Sequence, residues 1–199
     1  MPTTFIEVAN RAEEMFEGFR QSTVGGKNIE TYLAVTNTKT GSALPDAALI
    51  RFLRHVAGQS IAGYQKNALI TYSIQPLDGI QDDQGRTVRA PSWLARDNMD
   101  PQAPVIRIDS NFINSRFPEN APNRSIVIAK LVLHEIGHVA LHWQDLYPKK
   151  VGQYNVNSAS PEQETQAWWF AGAVWALILG RLAPRGRNDN VIDSAWYRA

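Results

Sequence analysis

The sequence predicts an α+β fold in a single domain over residues 1–199, because segments with helical periodicity flank a few short β-rich runs. The chain carries 20 Lys and Arg against 19 Asp and Glu, 44% of its residues are hydrophobic, and it has no cysteine. A chain of this length can bury a sizeable core without disulfides. The balanced charge argues against a strongly basic nucleic-acid binder. Without cysteine, any metal ion would need His, Asp or Glu ligands.

The N-terminal part, about residues 4–57, is predicted to hold two helices. Apolar residues of the first recur at spacings of three and four, as Phe5, Val8, Ala12, Met15, Phe16 and Phe19. Pro45 can open the second helix at its first position, and Gly58 can end it. The residues between them, 21–44, are rich in turn formers and predict a loop with one short strand at Tyr32–Thr36.

The central part, from about residue 68, begins with β-structure. Ala68–Gln75 and Pro104–Asp109 are rich in β-branched and aromatic residues and predict two strands. The connection between them is polar and contains several prolines, which predicts irregular structure with a small strand at Thr87–Arg89.

Two long helices are predicted to follow. The first spans about residues 123–143 and is apolar nearly all round in its first half, which predicts a buried helix. The second begins with Ser160 as N-cap and should end near Gly180. Its uncharged stretch 167–180 has 14 residues, fewer than the roughly 20 that cross a bilayer, so we expect a core helix. Residues 181–199 are predicted to form a C-terminal tail.

The first of these two helices carries the pattern H-E-x-x-H at His134, Glu135 and His138. Residues four apart lie on one face of a helix, about 6 Å apart along its axis, so the two histidines can share one ion. Glu135 lies beside that face, where a general base can reach a water on the metal without being a ligand. Two histidines and a glutamate are costly to bury unpaired, so the pattern favours a zinc site over histidines that are merely hydrogen-bonded.

A tetrahedral catalytic zinc needs a third protein ligand. The residue six positions beyond His138 is Gln144, which argues against a metzincin. A gluzincin takes a Glu from a following helix, and Glu162 and Glu164 both stand in the first turn of the last helix. Either glutamate could instead only stabilise the helix, because the helix dipole favours acidic residues in the first turn by about 0.3–1 kcal/mol.

Several stretches together resemble the ImmA/IrrE metallopeptidase family. That family shows a strand, a helix with H-E-[LI]-G-H-x-x-x-H, and a helix with E-x-E-A-x-x-F-A. The matching stretches here are Pro104–Asp109, His134–His142 (HEIGHVALH), Glu164–Ala167, Phe170 and Ala171. The first Glu of the last family motif falls on Glu164.

The resemblance covers about residues 68–180 and is strongest over 126–171. It implies a zincin-like fold in which a small antiparallel or mixed sheet packs against the H-E-x-x-H helix and a following Glu-bearing helix. It also makes Glu164, rather than Glu162, the expected third ligand. The chain departs from the family at Gln166, where the second Glu of the motif would stand.

The function that the resemblance implies is that of a zinc-dependent endopeptidase. One Zn²⁺ would be held by His134, His138 and Glu164, although such a site also accepts other divalent ions. Glu135 would transfer the proton. By likeness to zincins, Pro104–Asp109 is expected to be the edge strand beside which an extended substrate lies.

The expected partner is a protein substrate. Members of the family often cleave a helix-turn-helix repressor, so we expect a repressor-like or antitoxin-like protein. No direct nucleic-acid contact and no membrane association are expected. Residues 1–10 show no secretory signal, which favours a cytoplasmic location.

Three further polar side chains have two interpretations each. His142 could orient a metal ligand, or it could interact with the negative end of the helix dipole. Tyr147 and Tyr154 could donate a hydrogen bond to an oxyanion, or they could pack a loop against the body.

Two other functional classes compete with the peptidase. One is a catalytically silent, zinc-stabilised module that binds a partner through the last helix, where Trp168 and Trp169 are bulkier than is usual in the family. The other is a membrane-associated peptidase that uses residues 167–180.

Overall fold

The computed structural model describes residues 4–24, 26–29, 47–61, 69–78, 85, 87, 90–96, 103–121, 124–146, 149–150, 153–154 and 159–182. Within these ranges the protein is mixed α+β, with five helices and a small three-stranded mixed sheet. The predicted α+β class is therefore confirmed.

Helix α1 (Phe5–Gln21) follows the predicted apolar stripe. A capping box fixes its first turn, because Thr4 Oγ1 accepts from the Glu7 amide and the Glu7 carboxylate accepts from the Thr4 amide. The residues that α1 buries are Val8, Ala12, Met15, Phe16 and Phe19. Phe5 was expected to belong to this stripe but is 58% exposed. Its ring lies edge-to-face on the exposed Trp169, 5.4 Å between centroids, and outside the buried cluster.

Helix α2 (Ala47–Gln59) buries Phe52, Leu53 and Val56 as its periodicity predicts. It ends one residue beyond Gly58. The predicted start at Pro45 and the predicted strand at Tyr32–Thr36 lie outside the described residues.

The sheet contains strands β1 (Thr71–Gln75), β2 (Ser92–Arg96) and β3 (Pro104–Asp109), in the order β1-β3-β2. β1 runs parallel to β3, and β2 runs antiparallel to it. The two strongest strand predictions correspond to β1 and β3. β2 was not predicted, because its five residues follow Pro91 in a connection that looked irregular. Of the predicted strand at 87–89, only residue 87 is described.

A short helix that was not predicted from the sequence precedes the two long helices. Helix α3 (Ser110–Arg116) starts directly after β3, with Asp109 as N-cap accepting from the amides of Asn111 and Phe112. An Asp at the end of a strand is a cap signal that could have revealed this helix.

Helix α4 (Arg124–Leu146) extends three residues beyond the predicted end, and every residue from 131 to 139 is buried. Its segment Ile126–Trp143 is long and apolar enough to cross a membrane, but 78% of it is buried within the protein. A buried core helix meets the same criterion of length and hydropathy. This segment is therefore only weak evidence for a membrane span.

Helix α5 (Pro161–Leu182) starts at the predicted cap. The Gln163 amide donates to Ser160 Oγ (3.2 Å), and the Ser160 amide donates to Gln163 Oε1 (2.9 Å). One face of α5 packs on α4, and α1 packs on α5 as well. The helix ends two residues beyond the predicted Gly180.

Between α4 and α5 the chain forms a minimal hairpin of β4 (Lys149–Lys150) and β5 (Gln153–Tyr154). Strands of two residues carry no periodicity, so the sequence could not predict them. Tyr147 lies outside the described residues, as do residues 183–199 of the expected tail, and Tyr154 is described by its backbone alone.

The strand Pro104–Asp109 lies at the centre of the sheet, and the prediction that it forms an edge is wrong. β1 pairs with one side of this strand and β2 with the other, so its backbone groups are engaged on both sides. In the described part of the sheet, β2 is an edge strand, and it packs together with β3 against α4.

Candidate metal centre

The two histidines of the H-E-x-x-H pattern lie side by side on α4. Their four-residue spacing places both on the face that meets α5, and the ring centroids of His134 and His138 are 4.7 Å apart. Each of these residues is only 4% exposed. Their Nε2 atoms therefore converge at a buried position between two helices.

The side chain of Glu164 joins this pair from the first turn of α5. Its backbone amide donates to the carbonyl of Ser160 at 3.0 Å, so the capped helix start fixes its place. The Oε2 atom lies 3.2 Å from His134 Nε2, and Oε1 lies 3.5 Å from His138 Nε2. The side chain is 48% exposed, which leaves one side of the group open to solvent.

The three residues fit a single metal ion. One ligand atom from each of His134, His138 and Glu164 lies within 4.8 Å of the others. In a tetrahedral zinc site with bonds of about 2.0–2.1 Å, ligand atoms lie about 3.3 Å apart, close to the two contacts that the Glu164 oxygens make. Two imidazoles and one carboxylate also match the donors of catalytic zinc sites. This group could therefore hold a metal ion.

The surroundings of Glu164 favour the ionised form of its carboxylate, which is the form that binds a metal ion. Its burial raises the pKa, but hydrogen bonds from His134 and His138, together with their charge, outweigh burial and hold the pKa well below its usual range. The carboxylate is therefore ionised at neutral pH, as a metal ligand must be.

The other two glutamates of the predicted site lie apart from the donor group. Glu162 Oε1 accepts a hydrogen bond from Gln166 Nε2 at 3.3 Å, so of the two candidate glutamates only Glu164 meets the histidines. Glu135 follows His134 in α4 and is 2% exposed. It is not one of the three donor residues, as a general base requires.

An aromatic ring covers one side of the donor group. Trp168 stacks on His134 with 4.1 Å between ring centroids and 30° between planes. It stands four residues after Glu164, so both side chains project from the same face of α5. Only the bulk of Trp168 was recognised from the sequence, although this spacing could have placed it beside the metal ligands.

The absence of a side chain at Gly137 allows the two helices to come together at the site. A Cβ atom there would lie 3.1 Å from the carbonyl oxygen of Ala167 and 3.2 Å from a ring carbon of Phe170. Both distances are tighter than ordinary packing. Gly137 therefore permits the close approach that carries Glu164 to the histidines.

His142 lies behind His138 rather than at the end of the helix. It is 1% exposed, and α4 continues four residues beyond it. Its Nδ1 lies 3.3 Å from His138 Nδ1, and its Nε2 lies 2.8 Å from Gln166 Oε1. Burial lowers the pKa of His142, partly opposed by the hydrogen bond with Gln166. The contact of Gln166 with His142 was not predicted from the sequence.

The fold and the site define an α+β protein in which one buried helix and the first turn of the next supply a His-His-Glu donor group. No protein-family model, curated protein or solved structure matches the chain. Its function must therefore be argued from the chemistry of the donor group itself.

Proposed function

We propose that the protein is a zinc-dependent endopeptidase with a zincin-like fold of the ImmA/IrrE type. The observation that carries the proposal is the convergence of His134, His138 and Glu164, with Glu135 next to the first ligand and outside the donor group. A pair of histidines on one helix and a glutamate on a following helix is the ligand set of His₂Glu metallopeptidases.

The roles follow from the residue types and their positions. A zinc ion in this site would act as a Lewis acid and lower the pKa of a water molecule to about 7. Glu135 would accept a proton at its carboxylate as general base, and would return it to the leaving amine. Trp168 would hold the ring of His134 by stacking against it.

An extended substrate would lie along β2. This strand lies at an edge of the described three-stranded sheet and packs on α4, the helix that carries His134 and His138. Pairing between backbones recognises many sequences, so the choice of substrate must depend on other contacts. A repressor-like or antitoxin-like regulatory protein is the substrate class we propose.

The test is cleavage by the Glu135→Gln variant. Wild type and variant, each loaded with zinc, are incubated with a lysate of the organism that encodes the chain, and new protein N-termini are identified by mass spectrometry. We expect N-termini that wild type produces and Glu135→Gln does not, with equal zinc content in both proteins. Glu17→Gln makes the same chemical change at a half-buried residue of α1 that pairs with Arg20, and should cleave like wild type.

A second candidate is a silent, zinc-stabilised binding module. The observation that favours it is an exposed aromatic pair at the contact of α1 with α5, where Phe5 is 58% and Trp169 is 40% exposed. Identical N-termini from wild type and Glu135→Gln, together with unchanged biological activity of the variant, would overturn the peptidase in favour of this module.

A further inference from the structure

A series of side chains linked by hydrogen bonds extends from the metal centre to the surface. His138 Nδ1 lies 3.3 Å from His142 Nδ1, His142 Nε2 lies 2.8 Å from Gln166 Oε1, and Gln166 Nε2 lies 3.3 Å from Glu162 Oε1. His138, His142 and Gln166 are each no more than 4% exposed, whereas Glu162 is exposed. This series therefore connects the buried ligand His138 to the exposed carboxylate of Glu162.

The carboxylate of Glu162 determines which atom donates and which accepts in each hydrogen bond of the series. An ionised carboxylate only accepts, so Glu162 selects the orientation of Gln166 in which the amide NH₂ group faces it. The carbonyl oxygen of Gln166 then faces His142 and requires a proton on His142 Nε2. With that proton in place, the Nδ1 atom of neutral His142 is an acceptor.

The same direction determines the state of the metal ligand. Because His142 Nδ1 accepts, the proton between the two rings belongs to His138 Nδ1. In the metal-free site, the Nε2 atom of His138 faces the Glu164 carboxylate at 3.5 Å and donates to it. Because Nδ1 keeps its own proton, a metal ion can displace the proton from Nε2 and bind the lone pair there. The reverse direction would leave the ring with its single proton on Nε2 and block coordination.

We propose that Glu162, Gln166 and His142 are positioning residues that hold His138 in the Nδ1–H tautomer, the form that binds the metal ion through Nε2. This inference rests on the metal centre of the proposed function. It gives Glu162, the candidate ligand that lies away from the histidines, a role through two other side chains.

The second histidine ligand is held differently. His134 Nδ1 is buried and has no hydrogen-bond partner among the described residues, while its ring stacks on Trp168. Polar partners behind a ligand commonly raise metal affinity about 10- to 100-fold. In the described part of the chain, that support is concentrated on His138.

The test combines zinc affinity with the tautomer of His142. Zinc binding is measured by competition with a chelating indicator, and the ring protons are assigned by long-range ¹H–¹⁵N NMR. In wild type we expect the proton of His142 on Nε2. Gln166→Leu should bind zinc about 10- to 100-fold more weakly and lose the preference for that tautomer.

A double variant and a control separate this role from simple packing. In Glu162→Gln with Gln166→Glu, the carboxylate accepts from His142 Nε2 and the new amide donates to that carboxylate, so affinity and tautomer should return toward wild type. Gln59→Leu makes the same chemical change on the exposed end of α2 and should bind zinc like wild type.

The outcomes distinguish the inference from the proposed function. Wild type that binds zinc while Gln166→Leu binds it equally tightly, or a His142 protonated on Nδ1, would overturn the positioning role and leave the peptidase standing. Failure of the double variant to recover any affinity would also count against the role. Wild type that binds no zinc would overturn both.

Discussion

Three donors in one centre are held in place by different means. His138 lies at hydrogen-bond distance from His142, and the ring of His134 stacks on Trp168. Glu164 is positioned by the capped first turn of α5. The two histidines are buried and their orientation is set by neighbours. Glu164 is half exposed, so its contribution to metal binding can be tested without opening the core.

The ligand assignment predicts a difference between two nearby glutamates. Glu164→Ala removes a donor and should reduce zinc well below the level of about one ion per chain that we expect for wild type. Glu162→Ala removes a side chain from the same turn of α5 but no donor, so after the same dialysis it should retain more zinc than Glu164→Ala. Plasma mass spectrometry after dialysis against metal-free buffer measures both. Zinc lost from Glu162→Ala and retained by Glu164→Ala would reverse the assignment.

How much of the centre the sequence could predict depends on the range of the contacts. His134, Glu135 and His138 share little more than one turn of α4, so helix geometry alone relates them. The choice between Glu164 and Glu162 depends on which face of α5 meets α4, and local spacing does not determine that face. The contact of Gln166 with His142 depends on the same packing and was missed for the same reason. The position of Trp168 follows from its four-residue spacing from Glu164 once that glutamate is assigned as a ligand.

At the scale of elements, the long helices were predicted from the sequence and several short elements were not. The long helices α1, α4 and α5 carry several turns of apolar periodicity, and the sequence placed their ends within three residues. Strand β2 is as long as β1 but follows Pro91 in a proline-rich connection, so it was not predicted. Helix α3 and the β4–β5 hairpin have too few residues to show a period. The order of strands was also beyond local patterns, because the same run PVIRID could occupy an edge or a centre.

The contact between α4 and α5 predicts opposite effects for two glycines. Gly137→Ala should destabilise the fold by about 1–3 kcal/mol, because its Cβ would press on the backbone of Ala167 and the ring of Phe170. Gly172→Ala meets nothing within 4 Å and should stabilise by about 0.5–1 kcal/mol through helix propensity. Urea unfolding monitored by circular dichroism measures both free energies. Equal effects at the two positions would mean that α4 and α5 do not approach closely at Gly137.

At the scale of the whole molecule, the metal centre is continuous with the core. One cluster of buried side chains draws on α1, α2, all three helices that follow, and strands β2 and β3. The donors project from α4 and α5, two of the helices that build this cluster. Binding of an ion that the unfolded chain does not hold should therefore stabilise the entire fold.

Removal of metal should accordingly lower the Tm of the wild-type protein. At free zinc about 100 times the Kd, binding adds about 2.7 kcal/mol, which for a chain of this size corresponds to a Tm higher by roughly 5–10 °C than in excess chelator. Glu164→Ala should show almost no difference between the two conditions. Calorimetric scans with zinc and with chelator measure this shift. An equal shift in both proteins would place the stabilising ion elsewhere.

The contact between Phe5 and Trp169 has a kinetic consequence. These rings meet across 164 positions of the chain, and Trp169 stands just over one turn beyond Glu164. Contacts between such distant residues close large loops and slow folding. During synthesis, the histidine pair on α4 emerges from the ribosome well before its carboxylate partner. A nascent chain can therefore complete its donor set only after the start of α5 has emerged, and the contact of Phe5 with Trp169 forms later still.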